Sequence, residues 1–387
     1  MPWRESCVMN EKVRLIEDWL SLRWNKSQLS IKYGVSRPTV DKWLNRFRHG
    51  GYLGLEELSC RPNSNPNETQ GWKQDRIIEV KSQFKYWGPK KIKDYLVATE
   101  PQHQWPADST IGEILKRNGW VKPRRRVSRV SIYPEHLTQS EEACQVWNID
   151  FKGDVQLGNG QRCYPLTLSD DFSRYLLCCQ GLKSTARLPV KALLEAAFRE
   201  YGQPEIIKSD NGVPFAARTI GGLSRLSIWL IQHGIIPERI DKGKPTQNGR
   251  HERLHKTLKE AVMKPPRESM KAQQQGFDKF RYEYNELRSH ESLARQTPSK
   301  VFKTSKVNYC EEPPSIDYDV DKSVRKVLPS GEIKWKNNAV YVGQILAGEY
   351  IGLRETENDR LEIYYSFLHI GYLNKVKMKV ERIKSRA

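Results

Sequence analysis

The sequence predicts a multidomain chain with all-α modules first, an α/β domain in the middle and a small β-barrel at the end. Three observations predict this. Apolar residues recur at helical spacing up to about residue 118. From about residue 144 the pattern changes to short strand-like runs, then to helix and strand in alternation. From residue 323 only short β segments remain, and 387 residues exceed what one compact core usually holds.

The first module reads as three short helices. Lys12 to Leu22 carries Val13, Ile16, Trp19 and Leu20 on one face, and Ser27 to Tyr33 is a second helix stopped by Gly34. Ser36 caps a third, with Pro38 in the first turn, where a missing N–H removes no helical bond. Val40, Trp43, Leu44 and Phe47 form its buried stripe, leaving Arg37, Thr39, Lys42, Asn45 and Arg46 outward. A Gly turn followed by a capped amphipathic helix with a basic outer face predicts a helix-turn-helix over residues 1–60, its last helix entering a DNA major groove.

Arg61 to Thr69, rich in proline and asparagine, predicts a linker. A second helix-turn-helix-like module is expected over 70–130, with helices from Gln74 to Phe84, Pro89 to Val97 and about Asp108 to Asn118. Lys122, Arg124, Arg125, Arg126 and Arg129 then form an arm suited to lie on phosphates, which adds affinity rather than sequence choice.

In the middle, Val146–Phe151, Cys163–Ser169 and Tyr175–Gln180 read as consecutive strands. A helix over Leu188–Tyr201, a strand over Glu205–Ser209, a helix over Leu226–Gln232, a strand over Ile235–Ile240 and a long helix from Gln247 to about Val262 follow. That order fits an α/β ribonuclease-H-like domain over 140–310. Segments 323–328, 332–335, 339–342, 350–353 and 360–365 predict the small β-barrel over 320–387.

Lys and Arg outnumber Asp and Glu by 65 to 46, a net charge of +19 that favours a polyanionic partner. The excess is +10 over residues 1–140 (25 basic, 15 acidic), +8 over 141–310 (27 and 19) and +1 over the rest (13 and 12). No signal-like segment or membrane-spanning apolar run occurs, so a soluble cytoplasmic protein with no membrane partner is expected. The seven cysteines show no C-x-x-C spacing, and Cys178-Cys179 in an apolar run reads as buried thiols. His251 and His255 are spaced as a metal pair on a helix, but without a Cys pair or third His nearby zinc is not expected.

Three carboxylates stand out. Asp150 ends one strand, Asp210 ends another ahead of Asn211-Gly212, and Glu252 opens the long helix after Pro245-Thr246-Gln247-Asn248-Gly249. Two ions about 3.5–4 Å apart can activate a nucleophile and stabilise a leaving oxygen on one phosphorus, and they need bridging and terminal carboxylates. Hard oxygen ligands select Mg2+ or Mn2+. Asp150 would bridge two ions, with Asp210 holding one and Glu252 the other. Asp154, Asp170 and Asp171 are neighbouring acids; turn chemistry explains Asp170-Asp171, and Asp154 lies beyond the first strand.

Residues 144–302 resemble the integrase-type core of bacterial insertion-sequence transposases, relatives of retroviral integrases with an Asp-Asp-Glu triad. The matching stretches are Trp147-Asn148-Ile149-Asp150-Phe151, Ser209-Asp210-Asn211-Gly212 and Pro245 to Glu252, with Tyr284-Asn285, Arg288, His290, Leu293 and Thr297-Pro298 after them. The resemblance implies a ribonuclease-H-like fold, Mg2+ dependence, 3′-end cleavage at terminal inverted repeats and strand transfer into target DNA. It also implies that Asp150, Asp210 and Glu252 carry that chemistry in a homo-multimer on double-stranded DNA, in the bacterial cytoplasm at the nucleoid. Two departures stand beside it. The 41 residues between Asp210 and Glu252 exceed the family's usual interval, pointing to an insertion within Ala216–Arg225, and the zinc module of retroviral integrases is replaced by helix-turn-helix modules.

His255, Lys256 and Lys259 follow Glu252 by three, four and seven residues, a spacing expected to put them on its helical face, against a DNA end. In related integrases lysines at these offsets contact that end, which the resemblance carries to Lys256 and Lys259. Lys242, Lys244, Arg250 and Arg253 are further phosphate candidates. The rival readings are a non-catalytic, domesticated DNA-binding regulator and a ribonuclease-H-type nuclease without strand transfer.

Overall fold

A computed structural model describes residues 7–57, 68–121, 138–240, 249–356 and 359–381. The chain divides into two compact units, Met1–Glu68 and Thr69–Ala387. The linker over 61–67, the arginine run 124–126 and residues 241–248, with Lys242 and Lys244, lie outside the described residues.

In the first unit, α1 (Val8–Leu20), α2 (Lys26–Lys32) and α3 (Arg37–Gly50) pack Leu15, Ile16, Leu29, Val40, Trp43 and Leu44 into one small core. The Asn25 side chain and Gln28 cap α2 reciprocally, and the Ser36 hydroxyl accepts the Thr39 N–H at the start of α3. Gly34, at φ 62°, supplies the left-handed residue of the intervening turn.

The second unit opens with α4 (Gly71–Gln83), α5 (Pro89–Thr99) and α6 (Asp108–Arg117), closed over Ile77, Phe84, Trp87, Ile92 and Ile111. A mixed sheet follows, made of β1 (Val146–Phe151), β2 (Val155–Gln156), β3 (Arg162–Asp170), β4 (Leu176–Leu182), β5 (Ile206–Ser209) and β6 (Ile236–Arg239). Strand β3 pairs antiparallel with β1, β2 and β4, while β1, β5 and β6 run parallel.

Side chains alternate across these strands, so each face builds its own core. Trp147, Ile149, Leu166 and Leu168 meet α7 (Arg187–Tyr201) and α8 (Arg225–Gln232) through Val190, Leu194, Phe198, Leu226 and Trp229. Cys163, Leu176 and Cys179 meet α9 (Gly249–Val262) and α10 (Met270–Tyr282) through Leu254, Leu258, Phe277 and Phe280. A single π-helical turn, Glu283–Leu287, and a short α11 (Pro298–Val301) complete this layer.

The C-terminal region is β-rich. Strands β7 (Lys322–Lys326), β10 (Tyr350–Glu355), β11 (Arg360–Tyr365), β12 (Leu368–Asn374) and β13 (Lys379–Glu381) form one antiparallel sheet, and β8 (Glu332–Trp335) with β9 (Asn338–Tyr341) forms a hairpin. The expected barrel is not closed, since among the described residues no ladder joins β13 to β7. The apolar face of the sheet is buried another way. Ile220 and Leu223, from the segment between β5 and α8, join Ile228 and Ile231 of α8 in a core with Ile351, Leu361, Ile363 and Ile370. Helix α8 is therefore apolar on both sides, turning Trp229 and Leu230 to one core and Ile228 and Ile231 to the other. Among the described residues no helix is long and apolar enough to cross a membrane.

Candidate active site

Register brings the first two carboxylates to the same end of the sheet. Asn148 pairs with Lys208 across parallel β1 and β5, so Asp150 and Asp210, each two residues further on, emerge at the same level. Asp210 accepts the Gly212 N–H at 2.9 Å, and Asn211 donates to the carbonyl of Ile240 at 2.6 Å, which fixes the turn after β5. A Cβ on Gly212 would lie 2.9 Å from an Asp210 carboxylate oxygen, so a side chain there would push the carboxylate from this position.

Glu252 stands exposed in the first turn of α9. Burial raises the Asp150 carboxyl to about 7; the negative charge of Asp210 adds to this, and Glu252 contributes less, against the opposing Phe151 N–H and Lys152. Asp210 and Glu252 therefore both act on Asp150 through their charge. Among the described residues the three carboxylates do not form a group of converging ligand atoms, so a divalent cation held by all three would have to draw Asp210 and Glu252 towards Asp150.

His251 and His255 lie on the inner side of α9. Both are buried, and both Nε2 atoms meet the Thr167 hydroxyl on β3, at 2.6 and 2.8 Å. That hydroxyl also lies 3.2 Å from the carbonyl oxygen of Asp150. The hydroxyl can donate its single proton to only one of these three partners, so at least one of the two imidazoles donates to it from Nε2. His251 Nδ1 lies 3.3 Å from the Ser169 hydroxyl, and His255 Nδ1 faces Asp150, 3.7 Å from Oδ2. Burial favours the neutral rings, lowering His251 to about 4 and His255 to about 2. The ligand atoms of Asp150, His251 and His255 lie within 4.8 Å of one another and could also hold a metal ion, but Thr167 and Ser169 already engage most of the ring nitrogens.

Arg250 is drawn to Asp171, in the turn after β3, with Nη1 2.5 Å from Oδ2. Burial alone would raise Asp171, but a hydrogen bond from Asn148 and the Arg250 charge outweigh it and hold the carboxyl below its usual range. Asp170 accepts the N–H groups of Cys144 and Ser173. Asp170 is thus engaged in building the turn, whereas the Asp171 carboxylate ties the turn to Ser140, to Asn148 on β1 and to Arg250 on α9.

Lys256 and Lys259 are exposed on the face of Glu252, whereas His255, expected beside them, is turned inward because Thr167 receives it. On α3, Arg37, Lys42 and Asn45 are exposed. Thr39 is tied to the Ser36 hydroxyl at 2.9 Å, and Arg46 donates to the carbonyl of Glu56 at 2.6 Å, so these two are partly engaged within their own unit. Thr167 escaped the sequence reading; its only signal was an isolated hydroxyl in an apolar strand.

Comparison with known proteins agrees with this architecture. Residues 140–245 and 233–298 match the integrase core domain family, residues 11–61 a helix-turn-helix domain and residues 39–115 a homeodomain-like domain. An insertion element IS407 protein of Burkholderia multivorans is 26% identical over 64% of this chain and 87% of its own length. An insertion element IS476 protein of Xanthomonas euvesicatoria is 26% identical over 60% of this chain and 66% of its own, just under two thirds. The magnesium-bound catalytic core of HTLV-2 integrase is similar over 42% of this chain and 97% of its own, at 14% identity and a TM-score of 0.33. The chain therefore carries an integrase core domain together with helix-turn-helix domains, and it is a relative of bacterial insertion-element proteins.

Proposed function

We propose that the protein is a DNA transposase that cleaves the 3′ ends of its element and joins them to target DNA. The observation that supports this reading is the register of parallel β1 and β5, which brings Asp150 and Asp210 to one end of the sheet in the region that matches the integrase core domain, with Glu252 in the first turn of α9. Asp150, Asp210 and Glu252 would hold two Mg2+ or Mn2+ ions, which when bound supply positive charge at the reacting phosphate. His251 and His255, kept neutral by burial and positioned by Thr167, keep the floor beneath Asp150 uncharged. Lys256 and Lys259 bind the phosphates of the DNA end along the outer face of α9, and Arg250 and Arg253 flank it. Arg37, Lys42 and Asn45 on α3 read bases of the terminal repeat, with Thr39 and Arg46 supporting them. Arg124, Arg125, Arg126 and Lys244 add phosphate contacts.

Two displacements follow. A water oxygen attacks phosphorus at the element's end and releases a 3′-OH; that hydroxyl then attacks a target phosphodiester in line and displaces a second 3′-OH. Each site acts on one strand at a time, so pairing two ends calls for a multimer on DNA.

The test is Asp210→Asn, assayed with Mg2+ on DNA carrying the element's ends. Nicking and joining fall by about 10³-fold or more, the loss of several kcal/mol of charge stabilisation, while DNA binding stays within a few-fold. A wild-type protein that binds the ends but neither nicks nor joins them would instead be a regulator. Nicking without joining would make it a nuclease.

A further inference from the structure

The α4–α6 module meets the layer of α9 and α10 through a joint in which Arg295 is the hub. Its Nε lies 3.0 Å from Asp94 Oδ2 and its Nη2 2.6 Å from Asp94 Oδ1, a forked pair on α5. Its Nη1 lies 3.2 Å from Oδ2 of Asp108, the first residue of α6, and Nη2 also donates to the carbonyl of Lys90 at 3.2 Å. One guanidinium therefore clasps the flank of α5, its first turn and the start of α6. Further contacts cross the same joint. Ser289 donates to Asp94 at 2.5 Å, Lys90 pairs with Glu291 at 3.2 Å, and the Tyr86 hydroxyl donates to Glu283 at 2.7 Å. Beneath them Tyr86 packs against both cores, and Leu287 packs against the core of α4–α6.

The loop that presents Arg295 is built for one conformation. Ala294 and Arg295 are both left-handed, at φ 50° and 66°, which is unfavourable for residues that carry a side chain. Hydrogen bonds close the loop on itself. The His290 N–H meets the Gln296 carbonyl at 3.0 Å, the Arg295 N–H the His290 carbonyl at 2.9 Å, and the Gln296 N–H the Leu293 carbonyl at 2.9 Å. Stability alone does not account for this arrangement, because Arg295 is exposed and exposed ion pairs add little. What the forked arginine fixes is direction: two helices held by one planar group cannot turn independently of the loop that carries it. Helix α6 still leaves Ser109, Thr110, Glu113, Lys116 and Arg117 exposed, so the helix that Arg295 holds by its first residue stays open to a partner.

We propose that Arg295 is a positioning residue that makes the α4–α6 module a fixed spacer. By holding α5 and α6 on the core, it sets the distance from the DNA stretch bound by α4–α6 to the phosphodiester presented to Asp150, Asp210 and Glu252, and so selects which bond is cut. This rests on the reading of the protein as a transposase whose α4–α6 module binds DNA. Arg295 acts through the helices it holds and touches no reacting atom. A misplacement on the order of 1 Å at the reacting atoms slows chemistry by about a hundredfold, so a joint remote from the acids governs the site of the cut.

The test uses the full chain and Arg295→Glu, which sets a negative charge against Asp94 and Asp108. Spin labels at Glu113→Cys on α6 and Gln275→Cys on α10 report the distance across the joint without DNA, with Cys7→Ser, Cys60→Ser and Cys310→Ser removing other reactive thiols. The chain with Arg295 gives one narrow distance, and Arg295→Glu gives a broad distribution. With Mg2+ and DNA carrying the element's ends, the unlabelled variant binds within a few-fold of wild type. Its nicking at the wild-type bond falls by about a hundredfold and spreads to neighbouring bonds, a change that loss of folded protein does not produce. Arg295→Lys, which reaches one acid but cannot fork across both, falls between. If Arg295→Glu fails to fold, Asp108→Asn cuts the same bridge from α6 and carries the same comparison. A folded variant with the wild-type distance distribution overturns the proposal alone, and so does a loosened joint that still nicks the wild-type bond at the wild-type rate. A wild-type protein that nicks no end overturns the proposed function and the choice of bond with it, while a narrow distance controlled by Arg295 still stands.

Discussion

Arg250 bridges from the first turn of α9 to Asp171 in the turn after β3, its guanidinium half-exposed and its partner's side chain only 5% exposed. The pair ties the start of the helix that bears Glu252 to the strand that pairs with β1. Asp171 keeps hydrogen bonds from Asn148 at 3.0 Å and Ser140 at 2.8 Å without it. Arg250→Ala therefore lowers stability modestly, by about 1 kcal/mol in a urea titration, because solvent already screens the arginine. Strand transfer falls further than stability does, since the Glu252 backbone loses an anchor two residues away. Unchanged stability with weakened DNA binding would make Arg250 a phosphate contact first of all.

Gly212→Ala tests how closely the backbone must approach Asp210. The added methyl carbon meets carboxylate oxygens at 2.9 and 3.1 Å and forces the side chain off its place. Nicking falls at least tenfold, about 1.4 kcal/mol, while the thermal midpoint moves little. A variant with wild-type activity would show that Asp210 needs no fixed orientation.

Thr167→Val removes the hydroxyl that both buried imidazoles meet. Two buried ring nitrogens lose their hydrogen-bond partner, at about 1–3 kcal/mol each, so the variant unfolds at markedly lower urea concentration. Thr167→Ser restores the hydroxyl and most of the stability. Equal losses in both variants would assign the effect to packing of the Thr167 methyl.

His290 gives the second unit an acid-sensitive element. Burial, then the Arg288, Lys91 and Arg174 charges, lower it to about 3. A histidine whose folded pKa is depressed contributes stability that is full above its unfolded pKa near 6.5 and is lost as pH falls from there towards the folded value. The loss is at most about 1.4 kcal/mol per pH unit, or about 2 kcal/mol between pH 6.5 and 5. His290→Gln shows a shallower fall in stability over that interval. An identical slope would mean that His290 ionises in the folded protein as it does in the unfolded chain.

Much of the fold was legible because its elements are written locally. Strand β1 ends in Asp150 after an apolar run, Ser36 and Pro38 announce α3, and Gly249 to Val262 keeps one helical stripe. The direction of His255 was not legible. It sits on the flank between the two faces of α9, and only Thr167, fixed by the pairing of β3 with β1, decides which way it turns. Strands β12 and β13 were missed because Gly371 breaks the apolar alternation in β12 and β13 is three residues long. The contact of Arg288 with Tyr86, 5.7 Å from guanidinium to ring centre, was hidden for another reason: the tyrosine comes from a different module, and no local pattern reports that the two will meet.

The segment from Ala216 to Arg225 began as a surplus in the spacing between two acids. Ile220 now packs its side chain beneath Gly371, and Gly221, at φ 58°, brings its backbone so near Ile370 that a Cβ there would lie 3.1 Å away. The surplus and the C-terminal sheet are lock and key within one chain. Cutting away residues 320–387 would leave Ile220, Leu223, Ile228 and Ile231 as a sticky apolar face beside the strand that bears Asp210. The segment between β5 and α8 and the C-terminal sheet therefore share one core, and removing either would lay bare the apolar side of the other.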